Sequence, residues 1–470
     1  MDGFPDMGAK EPPFGYTLLD IPAEFSDEAL ALRFTEQHGD TLRYVAAWGR
    51  WYVWTGTVWR QDTTLAVFDL ARRLCRQASG GCEKDKVAAA IASAKTVAAV
   101  ERLAKADRRH AATIEQWDAD PWLLNTPGGV VDLKTGVTHP YRPGDYMTKI
   151  TAVASGGDCP LWRDFLAIVT DGDAELQAFL KRMAGYCLTG SIQEHALFFA
   201  FGTGGNGKGV FLNTLTAILA AYAAVASMET FTASQGDRHP TDLAMLRGAR
   251  LVTAQETEEG RGWAESRIKA LTGGDPVTAR FMRMDFFTYQ PVFKLLIAGN
   301  HRPGLRGVDE AIRRRMNLLP FTVTIPASDR DLALPEKLKA EWPGILAWAI
   351  EGAAEWQEDG LGAPAAVTAA TADYLDAEDA LAGWLTECCQ VETNSAVPPF
   401  SSSLLYSSWR VWAEKAGEYV GSQKRFTQSM VSKGYTGERI TEGQDKGKMG
   451  LRGVRFSSIP HPEQPPNWGQ

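Results

Sequence analysis

The most constraining feature of this 470-residue sequence is a glycine cluster, Gly202-Thr203-Gly204-Gly205-Asn206-Gly207-Lys208-Gly209, which directly follows an apolar run at Leu197–Phe201. A helical pattern continues from Val210 to Ala221. Glycines let the backbone turn tightly and aim successive N–H groups at one point, and a helix N-terminus adds the positive end of its dipole. Strand, glycine loop, lysine and helix in that order predict a loop that cradles phosphates, with Lys208 reaching the β- and γ-phosphates. A chance lysine in a glycine-rich turn would explain the cluster, but not its place between strand and helix. Residues Gly202 to Lys208, with Gly209 and Val210, are therefore the expected phosphate-binding set. One position departs from the pattern: Gly209 stands where a Ser or Thr hydroxyl would hold Mg²⁺.

A loop that supports hydrolysis needs acidic residues at the end of a neighbouring strand. Leu251–Ala254 is a second apolar run, and it leads into Gln255-Glu256-Thr257-Glu258-Glu259-Gly260. Glu256 is best placed to polarise an attacking water and is the metal candidate; Glu258 is the second choice. Read alone, an acidic run is as well explained by a solvated surface. A third run, Lys294–Ala298, ends at Gly299-Asn300, where an amide would reach a γ-phosphate and orient water. A shorter run follows at Met316–Phe321, after Arg313-Arg314-Arg315. Such arginines reach a neighbouring subunit's nucleotide, or else form a salt-bridged helix face. Between the second and third runs, residues 278–287 read as a hairpin that carries Arg280, Arg283 and Phe286.

Strands alternating with helices predict a multidomain α/β chain with a parallel sheet. The length suits two to four domains at roughly 100–200 residues each. The expected division is a leader at 1–24, an α+β N-terminal domain at 25–192 and a P-loop domain at 193–330. A helical extension at 331–390, a linker at 391–400 and a basic tail domain at 401–470 follow. Within the N-terminal domain, Trp51–Trp54 and Thr57–Arg60 predict a hairpin, and residues 128–138 a second. Trp48, Trp51, Trp54 and Trp59 read as the core of a small domain in preference to a base-stacking platform. The tail carries Lys424, Arg425, Lys433, Arg439, Lys446, Lys448, Arg452 and Arg455 around a helix and a Gly-punctuated hairpin, a pattern that reads as winged-helix-like.

Net charge is -8, which excludes a protein that coats nucleic acid by bulk charge but not one with a local basic channel. The six cysteines form no CxxC pair and read as reduced thiols without a zinc site. The N-terminus lacks the basic and apolar regions of a signal peptide, and no apolar run approaches the roughly 20 residues of a membrane span. The expectation is a cytoplasmic protein with no membrane partner.

The order and spacing of GTGGNGKG (202–209), QETEEG (255–260), ALTGGDPVTARFM (270–282), LLIAGNHRP (295–303) and DEAIRRRMNLLPF (309–321) resemble superfamily 3 helicases. The likeness is greatest to the helicase part of satellite-phage-type phage and plasmid primases, relatives of the poxvirus primase-helicase. Segments 38–59 and 125–136 are similar to that family's helicase-associated N-terminal domain, so the resemblance spans roughly residues 25–385. It implies an AAA+-like ATPase core that uses ATP and Mg²⁺. In that core Lys208 is the phosphate lysine, Glu256 the acidic strand-end residue and Asn300 the sensor. Arg314 or Arg315 is the finger. It implies a homo-oligomeric ring, a hexamer, that moves along single-stranded and forked DNA, with the 278–287 hairpin as its DNA contact: Arg280 and Arg283 on phosphates, Phe286 stacking on a base and Lys269 a weaker contact. The alternative for that segment is an ordinary hairpin with exposed arginines. The positive charge of the tail suits duplex DNA at an origin, and equally a solvated basic surface. No stretch reads as a primer-synthesising domain, so primer synthesis is not expected. The combined expectation is an ATP-dependent replicative helicase of a phage, prophage or plasmid. Two alternatives stay open: an ATP-switched initiator with little turnover, and a P-loop kinase or NTPase unrelated to DNA.

Overall fold

The computed structural model describes residues 22–233, 241–255, 262–305, 308–391, 399–418 and 420–457. The chain forms two compact units. The first holds the residues up to Asp120 together with His139–Ile150; the second holds Pro121–Thr138 and the residues from Thr151 onward.

In the first unit, strands Leu42–Val45, Arg50–Trp54 and Trp59–Gln61 form an antiparallel sheet, with Leu42 opposite Val53 and Trp54 opposite Trp59. This is the expected aromatic hairpin with one strand added. Helix Asp27–His38 starts at Ser26, whose hydroxyl accepts from Ala29 N at 3.1 Å, with Asp27 and Glu28 in the first turn. Leu30 and Phe34 from it pack with Trp51, Leu74, Val97 and Val100 into one core. Trp51 and Trp59 are buried, and the Trp59 indole donates to the Pro143 carbonyl at 2.9 Å. Trp48 and Trp54 are half-buried, so the cluster divides between core and surface.

The second unit is built on five parallel strands: β1 (Leu197–Phe201), β2 (Ala223–Val225), β3 (Leu251–Gln255), β6 (Lys294–Gly299) and β7 (Met316–Pro320). A separate hairpin, β4 (Val277–Ala279) and β5 (Phe287–Tyr289), lies between β3 and β6 in the chain. The sheet order is β7–β1–β6–β3–β2. Continuous apolar runs such as Leu-Phe-Phe-Ala-Phe are what a strand buried on both faces requires. Alternate residues serve opposite cores. Phe198, Ala200, Leu296 and Leu319 pack with helices α1 (Pro160–Val169), α2 (Ala174–Leu188) and α3 (Lys208–Leu219). Phe199, Ile297, Leu318 and Val252 pack on the other side with Trp263 and α4 (Glu265–Gly273).

The expected domain boundary near residue 192 thus falls inside one core, because α1 and α2 cover the same sheet face as the P-loop helix. The helical extension joins it too: α5 (Trp342–Asp359) supplies Ile345, Leu346, Trp348 and Trp356 to the first core, and α6 (Ala365–Ala377) supplies Tyr374 and Leu375 to the second. Two contacts far apart in sequence hold this layer. Glu341 caps α1 by accepting from Leu161 N at 3.0 Å and Trp162 N at 2.9 Å. Helices α2 and α5 meet at glycines: a Cβ on Gly352 would lie 2.1 Å from the Lys181 carbonyl oxygen.

At the starts of β3 and β6 lie two buried cations. Arg250 donates to Leu188 O at 2.7 Å and Leu123 O at 2.8 Å. Lys294 donates to the carbonyls of Thr189 and Ser191, and burial followed by neighbouring Arg250 pulls its ammonium down to about 7. Both satisfy carbonyls at the C-terminal end of α2, where the helix dipole favours positive charge.

Helices α7 (Ala380–Cys388), α8 (Ser402–Ala416) and α9 (Gln423–Ser432) pack with a small antiparallel sheet. Its order is Phe400–Ser401, Met449–Arg452, Thr436–Arg439. Trp384 of α7 sits in that core with Trp409, Phe426 and Leu451, so the tail architecture begins at Ala380, earlier than the expected residue 401. Among the described residues no helix is long and apolar enough to cross a membrane.

Two outcomes follow. Gly352→Ala should lower stability by about 1–3 kcal/mol, the usual cost of overpacking a tight contact, read from the denaturant midpoint. In the first unit, burial holds the His110 imidazole below its ordinary 6.5, opposed by the Leu42 carbonyl 3.1 Å from Nδ1. The unfolded chain then binds more protons as pH falls, so stability present above about pH 6.5 is lost below it. Exchange protection at Leu42–Val45, corrected for the intrinsic pH dependence of amide exchange, should fall between pH 7 and pH 5.5.

Candidate nucleotide site

The glycine loop leaves β1 at the carboxyl end of a central strand, where ligands of open α/β sheets bind. Register places its partners: Gly299 lies opposite Phe201, so Asn300 follows β6 beside the start of the loop. Gly207 has φ 82°, and a Cβ there would lie 2.5 Å from Val169 Cγ1, so only glycine lets the chain turn into α3. The N-terminus of α3 has no side-chain cap, which leaves its first N–H groups for a ligand.

Lys208 is buried and donates from Nζ to Gly202 O at 2.7 Å, Asn206 Oδ1 at 3.0 Å and Asn300 Oδ1 at 3.3 Å. Burial draws its pKa below the ordinary lysine value. Asn206, itself buried, donates to the Phe321 carbonyl at 2.7 Å, tying the loop to the end of β7. Ile325 N donates to Gly205 O at 3.0 Å, and the Thr203 and Thr324 hydroxyls lie 3.4 Å apart. Lysine, loop and the Asn300 amide thus form one bonded group, and the segment after β7 lies along the loop.

Val210 is half-buried against the first core and offers no polar atom on its side chain. A Cβ on Gly209 would meet nothing within 4 Å, so the missing hydroxyl is not a matter of space. At the end of β3, Gln255 donates to Asn213 Oδ1 at 3.3 Å. The described residues here offer amides, which are weak Mg²⁺ ligands; the expected carboxylates, Glu256 and Glu258, lie outside the described residues. The loop fits a nucleotide's phosphates, while the metal fit rests on those two glutamates.

The loop after β6 is braced in a way the sequence did not signal. Tyr374 donates to the Pro303 carbonyl and accepts from the Trp263 indole at 3.0 Å, and Glu378 accepts from Leu305 N at 2.7 Å. Arg302 lies 5.4 Å from the ring centres of both Phe201 and Tyr374.

The two candidate fingers separate. Arg315 is buried, donating to Thr272 Oγ1 at 3.2 Å and Ala311 O at 2.7 Å, whereas Arg314 is exposed. Lys269 pairs with Asp309, which also caps Ile312 N at 2.9 Å. On the hairpin, Ala279 lies opposite Phe287, and the tip carries exposed Phe281, Met282, Arg283, Met284 and Phe286. Arg280 stacks over Phe286 at 4.7 Å. The tip is therefore more apolar than its arginines suggested. In the tail, Arg452 pairs with Glu438, Lys433 with Asp379 and Lys448 with Asp445, which reduces the local positive charge.

Residues 31–171 match the family described as "D5 N terminal like", and residues 200–315 match a family of unknown function. A protein of Acanthamoeba polyphaga mimivirus named "Putative helicase" is 22% identical over 319 residues, 63% of this chain and 33% of its own length. One of Frog virus 3, also named "Putative helicase", is 26% identical over 189 residues, 39% of this chain and 18% of its own. This chain therefore spans a third or less of the length of these relatives. The apo structure of the NrS-1 C terminal region covers 92% of this chain and 100% of its own at 11% identity, with a TM-score of 0.45. On its D5 N-terminal-like region and its viral relatives, the chain resembles the phage and viral primase-helicase type of protein.

Proposed function

We propose that the chain is an ATP-dependent replicative DNA helicase of a phage, prophage or plasmid, working as a hexameric ring in the host cytoplasm. The carrying observation is the three-way seat of Lys208 on Gly202, Asn206 and Asn300, which joins phosphate loop and sensor at adjacent strand ends. The parallel order β7–β1–β6–β3–β2 supports an AAA+-like core of the superfamily 3 kind. Lys208 and the loop N–H groups hold the triphosphate, Asn300 orients water and Glu256 accepts its proton. Mg²⁺, held by Glu256, would neutralise phosphate charge.

Arg314, exposed just before β7, reaches the neighbouring protomer's nucleotide, while buried Arg315 holds α4 against the strand. The 280–286 tip contacts single-stranded DNA, with Arg280, Arg283 and Phe286 serving phosphates and bases and Lys269 secondary to them. The helices and wing-like hairpin of the tail support a winged-helix-like unit that meets duplex DNA at an origin. A second reading, an ATP-switched initiator, is favoured by Gly209 and Gln255, which remove the usual metal-holding side chains.

Lys208→Ala should abolish ATP turnover. Arg314→Ala should also abolish it, and mixing the two inactive variants should restore part, since an intact lysine then meets an intact finger across an interface; Arg314→Ala with normal turnover counts against the finger. Arg315→Met should instead cost about 1–3 kcal/mol of stability by breaking buried hydrogen bonds, with Arg314→Ala within about 0.5 kcal/mol of the parent in thermal unfolding.

A further inference from the structure

We infer that Arg330 is a second cation of the nucleotide site, contacting the triphosphate from the same subunit. The inference rests on the nucleotide reading of the loop and adds a residue that the glycine-lysine motif does not contain. The segment after β7 returns over the loop, held by Asn206 on the Phe321 carbonyl and by Ile325 N on Gly205 O. Arg330 closes it: its Nε donates back to Ile325 O at 2.8 Å. This anchors one edge of the guanidinium and lays the plane on the loop. A Cβ built on Gly205 would lie 2.3 Å from Arg330 Nη2 and 2.7 Å from its Cζ, so the guanidinium rests directly on that Cα. Gly205 has φ 64°, a left-handed conformation that also favours glycine.

Among the described residues the guanidinium donates to a carbonyl and pairs with no carboxylate. Its flanking carboxylates turn away: the Ser328 hydroxyl donates to Asp329 at 2.8 Å, and Asp331 pairs with Lys337 at 2.7 Å while accepting from Ala333 N at 3.0 Å. Among the described residues, no carboxylate lies within ion-pair distance of Arg330. Lys208, by contrast, has three protein acceptors for its three hydrogens. A polyphosphate entering the loop therefore meets an exposed, pre-oriented fork whose remaining N–H groups match phosphate oxygens. The fork acts on phosphate charge, so its contribution should grow with the number of phosphates and be absent for a nucleoside monophosphate that does not reach the loop's centre.

The test is displacement of a fluorescent ATP analogue from the full chain by ATP, ADP and AMP. Arg330→Gln should weaken ATP roughly tenfold, the worth of one charge-assisted hydrogen bond, leave AMP unchanged, and leave the melting temperature unchanged. Arg330→Lys, which restores the charge without the fork, should recover part of the loss. Unchanged ATP affinity in Arg330→Gln overturns the inference, as does an equal loss for ATP and AMP, which would mean that Arg330 only packs the segment. Lys208→Ala separates the two levels: if it abolishes ATP binding while Arg330→Gln has no effect, only the Arg330 role fails. If neither variant alters binding, the nucleotide reading of the loop fails as well.

Discussion

The hydrogen bonds of the Lys208 ammonium are the constraint on which the rest of the second unit depends. Burying a lysine costs several kcal/mol unless its hydrogens find acceptors. Here they are a loop carbonyl, a loop amide and the amide after β6. That arrangement requires β1 and β6 to be neighbours with Gly299 opposite Phe201, and it requires the loop to fold back far enough for Gly202 to face its own lysine. The sheet order is the simplest way to meet both demands. The cores on either face then follow from strand alternation, with Phe198 and Phe199 pointing opposite ways.

The same economy appears at the other end of the sheet. Arg250 and Lys294 begin two adjacent strands, and both turn their charge onto carbonyls at the end of α2. Cations thus sit at both ends of the sheet: Arg250 and Lys294 on the carbonyls beside α2, and Lys208 within the glycine loop at the carboxyl end. This division explains why Arg315 and Arg314, adjacent in sequence, differ in kind. The first is packed against α4, and the second is exposed to solvent.

Much of this was legible in the sequence where a single segment carries its own signal. The glycine loop is marked by its own residues, β1 and β6 by apolar runs that end at glycine, and β3 and β7 by runs interrupted only by Thr253 and Asn317. The Trp54–Trp59 hairpin is marked by its turn. What stayed hidden depends on partners distant in the chain. Strand β2, only Ala223–Val225, is too short to carry a signal of its own, because its pairing with β3 is a tertiary fact. The boundary near residue 192 looked natural because nothing local shows that Gly185 of α2 packs on α5; a Cβ there would lie 2.0 Å from Ala353 N. Glu341 as the cap of α1, Glu378 as the brace of the loop after β6 and Arg330 against Gly205 are invisible for the same reason. The choice between Arg314 and Arg315 needed burial, which a run of like charges conceals.

The central claim is that the loop around Lys208 turns over ATP in response to DNA. Its most direct test is the steady-state rate of ATP hydrolysis by the full chain with Mg²⁺, measured with and without saturating single-stranded DNA. The expected rate rises several-fold with DNA and disappears when Asn300 is replaced by Ala, since Lys208 then loses its amide partner after β6. Hydrolysis indifferent both to DNA and to Asn300→Ala would contradict it.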